Sequence, residues 1–189
     1  MDVLTGVFTA FGLSASAGLN AYIPLLVIAL LSKFTNLINL SSPWDTLESW
    51  WIIGLLLVLV LIEFFADKAP AVNHVNDLIQ TFVRPVAGAI VFAASAHVLT
   101  DIHPVLSLAA GLLVAGGVHA AKSLAIRPAV TATTGGVGNT PVSMLEDIIA
   151  TVLSILSIVI PLLIGTALII FTVWVIRKIW RHDRKSLPV

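Results

Sequence analysis

The sequence contains no cysteine, which excludes a disulfide framework, a thiolate metal site and a cysteine nucleophile. Charge is scarce as well: ten Lys and Arg and ten Asp and Glu make up 11% of 189 residues, against roughly 25% in ordinary globular chains. The two signs cancel, so there is no basic surplus to hold nucleic acid. No Ser-His-Asp order, H-E-x-x-H or paired intramembrane Asp motif occurs, and no Lys follows the glycines in Walker A fashion, which argues against an enzyme and against nucleotide hydrolysis. No cofactor or metal is expected. Met1-Asp2-Val3 lacks the basic n-region of a signal peptide and no cleavage site follows a short apolar core, so the first apolar segment is expected to stay in the mature protein.

What remains is oil. Hydrophobic residues make up 58% of the chain and the mean hydropathy is +1.05, more than one soluble core of this size can hide. The composition predicts an all-α, polytopic membrane protein. Five apolar segments are legible, at 3–31, 50–66, 86–99, 105–125 and 148–176. Residues 1–176 form one membrane domain, and 177–189 a basic tail carrying Arg177, Lys178, Arg181, Arg184 and Lys185. By the positive-inside rule the tail is cytoplasmic, and five crossings then put the N-terminus outside.

The segment lengths are irregular. The first and last have 29 residues each, about 43 Å of helix against a hydrocarbon core of about 30 Å. The third, with 14 residues, reaches only about 21 Å. Short segments beside long interrupted ones suggest broken or re-entrant helices. Inside the first lies GLSASAGLNAYIPLL, residues 12–26, where Pro24 would release the carbonyl of Asn20 in a continuous helix. Two readings stand: a Pro-kinked helix packing through small residues, or a discontinuous helix lining a substrate site. Pro161, with no polar neighbour, predicts only a bend.

The stretch from Arg127 to Glu146 has no charge between Ala129 and Val142. Gly135, Gly136 and Gly138 expose backbone N–H groups, Asn139 or Thr140 can cap a helix starting at Pro141, and Ser143 with Glu146 offers a capping box in a second register. The stretch is either a surface turn or an anion site at a helix N-terminus. Arg84-Pro85 and Arg127-Pro128 open similar hexamers, a hint of an internal repeat. Each Arg is either an anchor that snorkels to headgroups or half of a pair that grips one phosphate or carboxylate.

Residues 72–83 separate into an apolar and a polar face, the pattern of a short helix that either lies in the interface or caps a vestibule. Ionisable groups inside apolar segments face protein and pair. They are Glu63, with Asp67 and Lys68 after it, and His119 with Lys122 three residues on. Glu63 is expected to pair with Lys122 or Arg127, and Glu63 with His119 to relay protons. His97 and His119 lack the companions that metal-ligand spacing requires.

The motifs Gly18-Leu-Asn-Ala-Tyr22, Phe65-Ala-Asp-Lys-Ala-Pro70, Arg84-Pro85 and Arg127-Pro-Ala-Val-Thr-Ala-Thr-Thr-Gly-Gly136 together resemble a family of small bacterial inner-membrane proteins catalogued as a domain of unknown function, over nearly the whole chain. The resemblance implies a bacterial plasma-membrane protein and carries no activity with it. In layout alone the chain is similar to bacterial carriers of polyprenyl-phosphate lipids.

The functional expectation is a small transporter or lipid-carrier translocator. It binds an anionic small molecule or lipid phosphate at Asn20, Arg84, Arg127, Gly135, Gly136, Asn139 and Thr140, with Glu63, Asp67, Lys68, His119 and Lys122 in ion pairing or proton coupling. The alternatives are a membrane-embedded enzyme acting on a lipid headgroup, and a partner or assembly subunit whose small-residue faces pack other helices. Membrane lipid is the expected partner, and self-association is compatible with those faces.

Overall fold

A computed structural model describes residues 3–67, 70–96 and 103–183. Lys68 and His97 lie outside the described residues. Among the described residues eight α-helices follow one another: α1 (Val3–Leu19), α2 (Tyr22–Phe34), α3 (Trp50–Ala66), α4 (Pro70–Ala96), α5 (Pro104–Ala121), α6 (Arg127–Thr134), α7 (Asn139–Val159) and α8 (Pro161–Asp183). A 3₁₀ turn (Trp44–Glu48) precedes α3, and a π turn (Lys122–Ile126) joins α5 to α6. No strand occurs among the described residues. Among the described residues three stretches are long and apolar enough to cross a membrane, Leu78–Ser95, Pro104–Thr134 and Asn139–Val159, and three shorter apolar helices accompany them.

The first apolar segment is broken at Asn20. Its Oδ1 accepts from the N–H groups of Tyr22 and Ile23, both at 3.1 Å, and so covers the open start of α2. Pro24 is the third residue of α2, where a missing N–H costs nothing, so the break falls ahead of the proline and not at it.

Directions follow from the contacts. The end of α2 meets the start of α3: Lys33 Nζ donates to Glu48 O at 2.7 Å and lies over the Trp50 ring. Helix α4 returns antiparallel to α3, with Asn76 against Asp67 and Arg84 against Glu63. The start of α1 lies beside the far ends of α4 and α7, through Phe11 on Phe92 and Thr9 on the carbonyl of Ser157. Both outer ends of 3–34 therefore sit on the Trp50 side. The segment is a hairpin of two helices with Asn20 at its apex.

The third apolar segment is not short. It is the second half of α4, a 27-residue helix that continues through Pro85. Residues 72–83 belong to this helix and do not lie flat in the interface. Their faces are reversed with respect to a water-soluble helix: Asn76, Gln80 and Arg84, spaced by four, are buried, while Leu78, Ile79 and Phe82 are exposed, Phe82 by 71%. That is the arrangement of a helix whose outer solvent is lipid.

The stretch after Arg127 is likewise helical up to Thr134, and only residues 135–138 turn. Pro128 lacks an N–H and its ring crowds the carbonyl four residues back. The wider π turn, closed by the Arg127 N–H on the Lys122 carbonyl, carries the helix past it. Helix α7 starts at Asn139, so Pro141, Ser143 and Glu146 are internal residues and neither expected cap forms. At Pro161 the chain breaks instead of bending: Ile160 adopts φ −132°, ψ 59°, because a residue before proline is pushed out of the α region.

Lipid-type packing holds the centre. Helices α1, α4 and α5 touch at Gly18, Gly88, Gly111 and Ala115, and a Cβ on Gly18 would lie 2.6 Å from the Ala115 carbonyl oxygen. Ser14 Oγ donates to the Gly111 carbonyl at 2.8 Å. On its other face α1 is joined to α7 by a polar ladder, Ser16 on Ala150 and Ser154 and Asn20 on Asp147. The small-residue run at 14–18 thus admits neighbours on two sides.

Gly111→Ala should destabilise the protein by about 1–3 kcal/mol, since the added Cβ meets Phe92 Cβ at 2.6 Å and Ala89 Cα at 2.7 Å. Gly54→Ala, with nothing within 4 Å, should be neutral or slightly stabilising; unfolding in detergent compares the two. The hairpin is tested by labelling. On the cysteine-free background, a single cysteine at Asn36 should react from the same side of oriented vesicles as an N-terminal tag, and one at Val137 from the opposite side.

Candidate functional site

Where the hairpin apex meets α3, α4, α5 and α7, seven ionisable side chains are buried together: Glu63, Asp67, Arg84, His119, Lys122, Arg127 and Glu146. Glu63 and Asp67 stand one turn apart at the end of α3, and Arg84 continues the Asn76–Gln80 stripe of α4. Lys122 and Arg127 bracket the π turn. In a regular helix residues five apart diverge by about 140° around the axis, yet both reach one carboxylate. Lys122 Nζ is 2.8 Å and Arg127 Nη2 2.9 Å from Glu146 Oε2.

The other half of the network is centred on Arg84, which is fully buried. Its Nη2 donates to Glu63 Oε1 at 2.9 Å. Asp67 stands between the halves, with Oδ2 3.6 Å from Nη2 of both Arg84 and Arg127. Its shorter bonds are neutral: Asn76 Nδ2 donates at 2.6 Å and Ser143 Oγ at 3.2 Å. Three cations therefore face three carboxylates. Lys122 also donates to the Leu19 carbonyl at 3.1 Å, placing a positive charge at the negative end of α1. The backbone break and the charges are parts of one site.

The neighbours of His119 set its hydrogen-bonding roles. Its Nδ1 lies 3.2 Å from Arg84 Nη1, which can only donate, so Nδ1 is the unprotonated acceptor. The ring proton is then on Nε2, 3.2 Å from Thr81 Oγ1. Protonating both nitrogens would set an N–H against a guanidinium. The site also contains buried polar atoms without a hydrogen-bond partner, namely Glu63 Oε2, Gln80 Oε1, Arg84 Nε and Glu146 Oε1.

The sequence-based pairing of Glu63 with Lys122 or Arg127 is corrected: Glu63 takes Arg84, while Lys122 and Arg127 share Glu146. The two arginines do converge, but on Asp67. Gly135 and Gly136 have positive φ, 61° and 91°, and make the α6–α7 turn. The polar groups of that turn bond locally, Gly138 N–H to Thr134 and Asn139 Nδ2 to Thr131. Asn139 and Thr140 open α7 without capping it. Sequence reasoning missed Glu146, taken for a cap, and the buried roles of Asn76, Gln80 and Ser143. The four-residue spacing from Asn76 through Gln80 to Arg84 was the available signal.

Apolar helices facing outward around a neutral, buried set of ion pairs define a polytopic α-helical membrane protein. The family described as domain of unknown function DUF4126 matches residues 7–181, and the chain belongs to it. No curated protein and no solved structure matches the chain.

Glu146→Ala leaves Lys122 and Arg127 without their shared carboxylate. Because it strands buried charge, it should cost about 3–5 kcal/mol of stability. Lys33→Ala, at the Trp50 edge, should cost no more than about 1 kcal/mol. Denaturant or thermal unfolding in micelles reads both.

Proposed function

We propose that the protein is a small transporter or lipid-carrier translocator of the bacterial inner membrane that takes an anionic, phosphate-like group between Arg84 and Arg127, with its basic tail in the cytoplasm. One observation carries this reading: guanidiniums from two different helices aim at the same oxygen, Asp67 Oδ2, each from 3.6 Å. Charge-assisted hydrogen bonds are about 2.7–2.9 Å long, so Asp67, held in place by Asn76 and Ser143, leaves both guanidiniums contacts that a substrate oxyanion would shorten. Planar forks suit phosphate and carboxylate alike. The hairpin adds support, since broken helices at depth are how membrane carriers present backbone groups to a substrate. The buried triad of cations adds support too, since each is costly to desolvate.

The reading is tested in vesicles of phosphatidylethanolamine and phosphatidylglycerol, following uptake of sulfate or phosphate and the translocation of a labelled polyprenyl phosphate. These probes separate a free anion from a lipid headgroup. Arg127→Ala should lower the active probe's rate about 10- to 100-fold, the loss of one charge-assisted hydrogen bond, while Arg127→Lys keeps part of it. An unchanged rate in folded Arg127→Ala removes this arginine from the site. A chemically altered lipid would assign an enzyme instead.

A further inference from the structure

We infer that Glu63 is a proton-binding site, taking a proton on Oε2 and thereby releasing Arg84 from its ion pair. Glu63 is 1% exposed and its two oxygens are treated differently. Oε1 holds the Arg84 guanidinium at 2.9 Å, whereas Oε2 has no partner. Gln80, one turn before Arg84 on the same face of α4, keeps a second unpartnered acceptor, Oε1, and is 2% exposed. Both are buried acceptors without a donor, and an unmade hydrogen bond at such depth is costly. A proton on Glu63 Oε2 turns that oxygen into a donor, and Gln80 Oε1, on the helix that carries Arg84, is the acceptor we assign to it.

The groups around Glu63 agree. Tyr22 faces it from α2, Asp67 from the end of α3, Arg84 from α4 and Lys122 from the π turn. Lys122 has Glu146 for a partner, so a neutral Glu63 leaves only Arg84 in need of one. Asp67, at 3.6 Å, is its nearest remaining carboxylate. His119 cannot take the proton in its place, since its Nδ1 already accepts from Arg84. One proton in therefore frees one guanidinium, and proton and anion are bound together. This second half rests on the proposed anion site; the protonation does not.

Infrared difference spectroscopy of the full-length protein in lipid, titrated from about pH 9 to about pH 4, should show a protonated-carboxyl C=O band that Glu63→Gln abolishes. Gln80→Leu, which keeps the carboxyl and removes its acceptor, should shift that band to higher frequency. A band that survives Glu63→Gln, or a wild-type spectrum without one, overturns the inference. Sulfate, whose charge is constant over this range, should bind the wild type more tightly as pH falls and bind Glu63→Gln equally at all pH values. If the band is present but sulfate does not bind, the proton site stands and the anion site fails.

Discussion

Lipid offers no hydrogen bonds and no counterions, so every polar group this chain carries to depth must be satisfied by another part of the chain. The structure is organised by that demand. Helices α3, α4 and α7 turn Leu, Ile, Val and Phe outward, and keep Glu63, Asp67, Asn76, Gln80, Arg84, Ser143 and Glu146 inward. Side chains that would lie at the surface of a soluble bundle form its centre. Buried Ala and Gly lie between larger core residues such as Leu13, Ile28 and Val91, and let backbones approach closely enough for dispersion and hydroxyl bonds to act.

The ion-pair network and the broken helix depend on each other. Ending α1 at Leu19 exposes carbonyls at its C-terminus, and Lys122 supplies both a donor and a positive charge there. Starting α2 at Tyr22 exposes N–H groups, which the Asn20 side chain accepts. Asn20 in turn donates to Asp147, beside the carboxylate that holds Lys122 and Arg127. A hairpin apex is therefore affordable only next to the charges, and the charges are neutralised only where α3, α4, the π turn and α7 meet. Structure and proposed transport share this point: a guanidinium can change partners without leaving protein.

The two Arg-Pro pairs show a common device. In each, the arginine precedes a proline that sits inside a helical run, and each guanidinium reaches Asp67. Pro85 is absorbed within α4, whereas Pro128 coincides with a π turn that brings Lys122 and Arg127 onto one oxygen. The change in helical pitch sets the geometry of the charge cluster. Residues flanking such a turn are where a small backbone shift would move two cations together.

Composition alone determined the class, because 11% charge and repeated apolar stretches admit no other solvent than lipid. Local chemistry was enough to mark Asn20 as the place of a break and Glu63, Asp67, Lys122 and Arg127 as residues that pair, since their cost in lipid does not depend on the fold. Only the tertiary structure decided which charges pair, that 3–34 folds back on itself, and that residues 72–83 turn their polar face inward. Amphipathic periodicity is the same whether the outer medium is water or lipid, and a charged side chain is indifferent to which opposite charge it meets. Those choices belong to helix packing, which glycines at 88 and 111 set at distances no sequence pattern records.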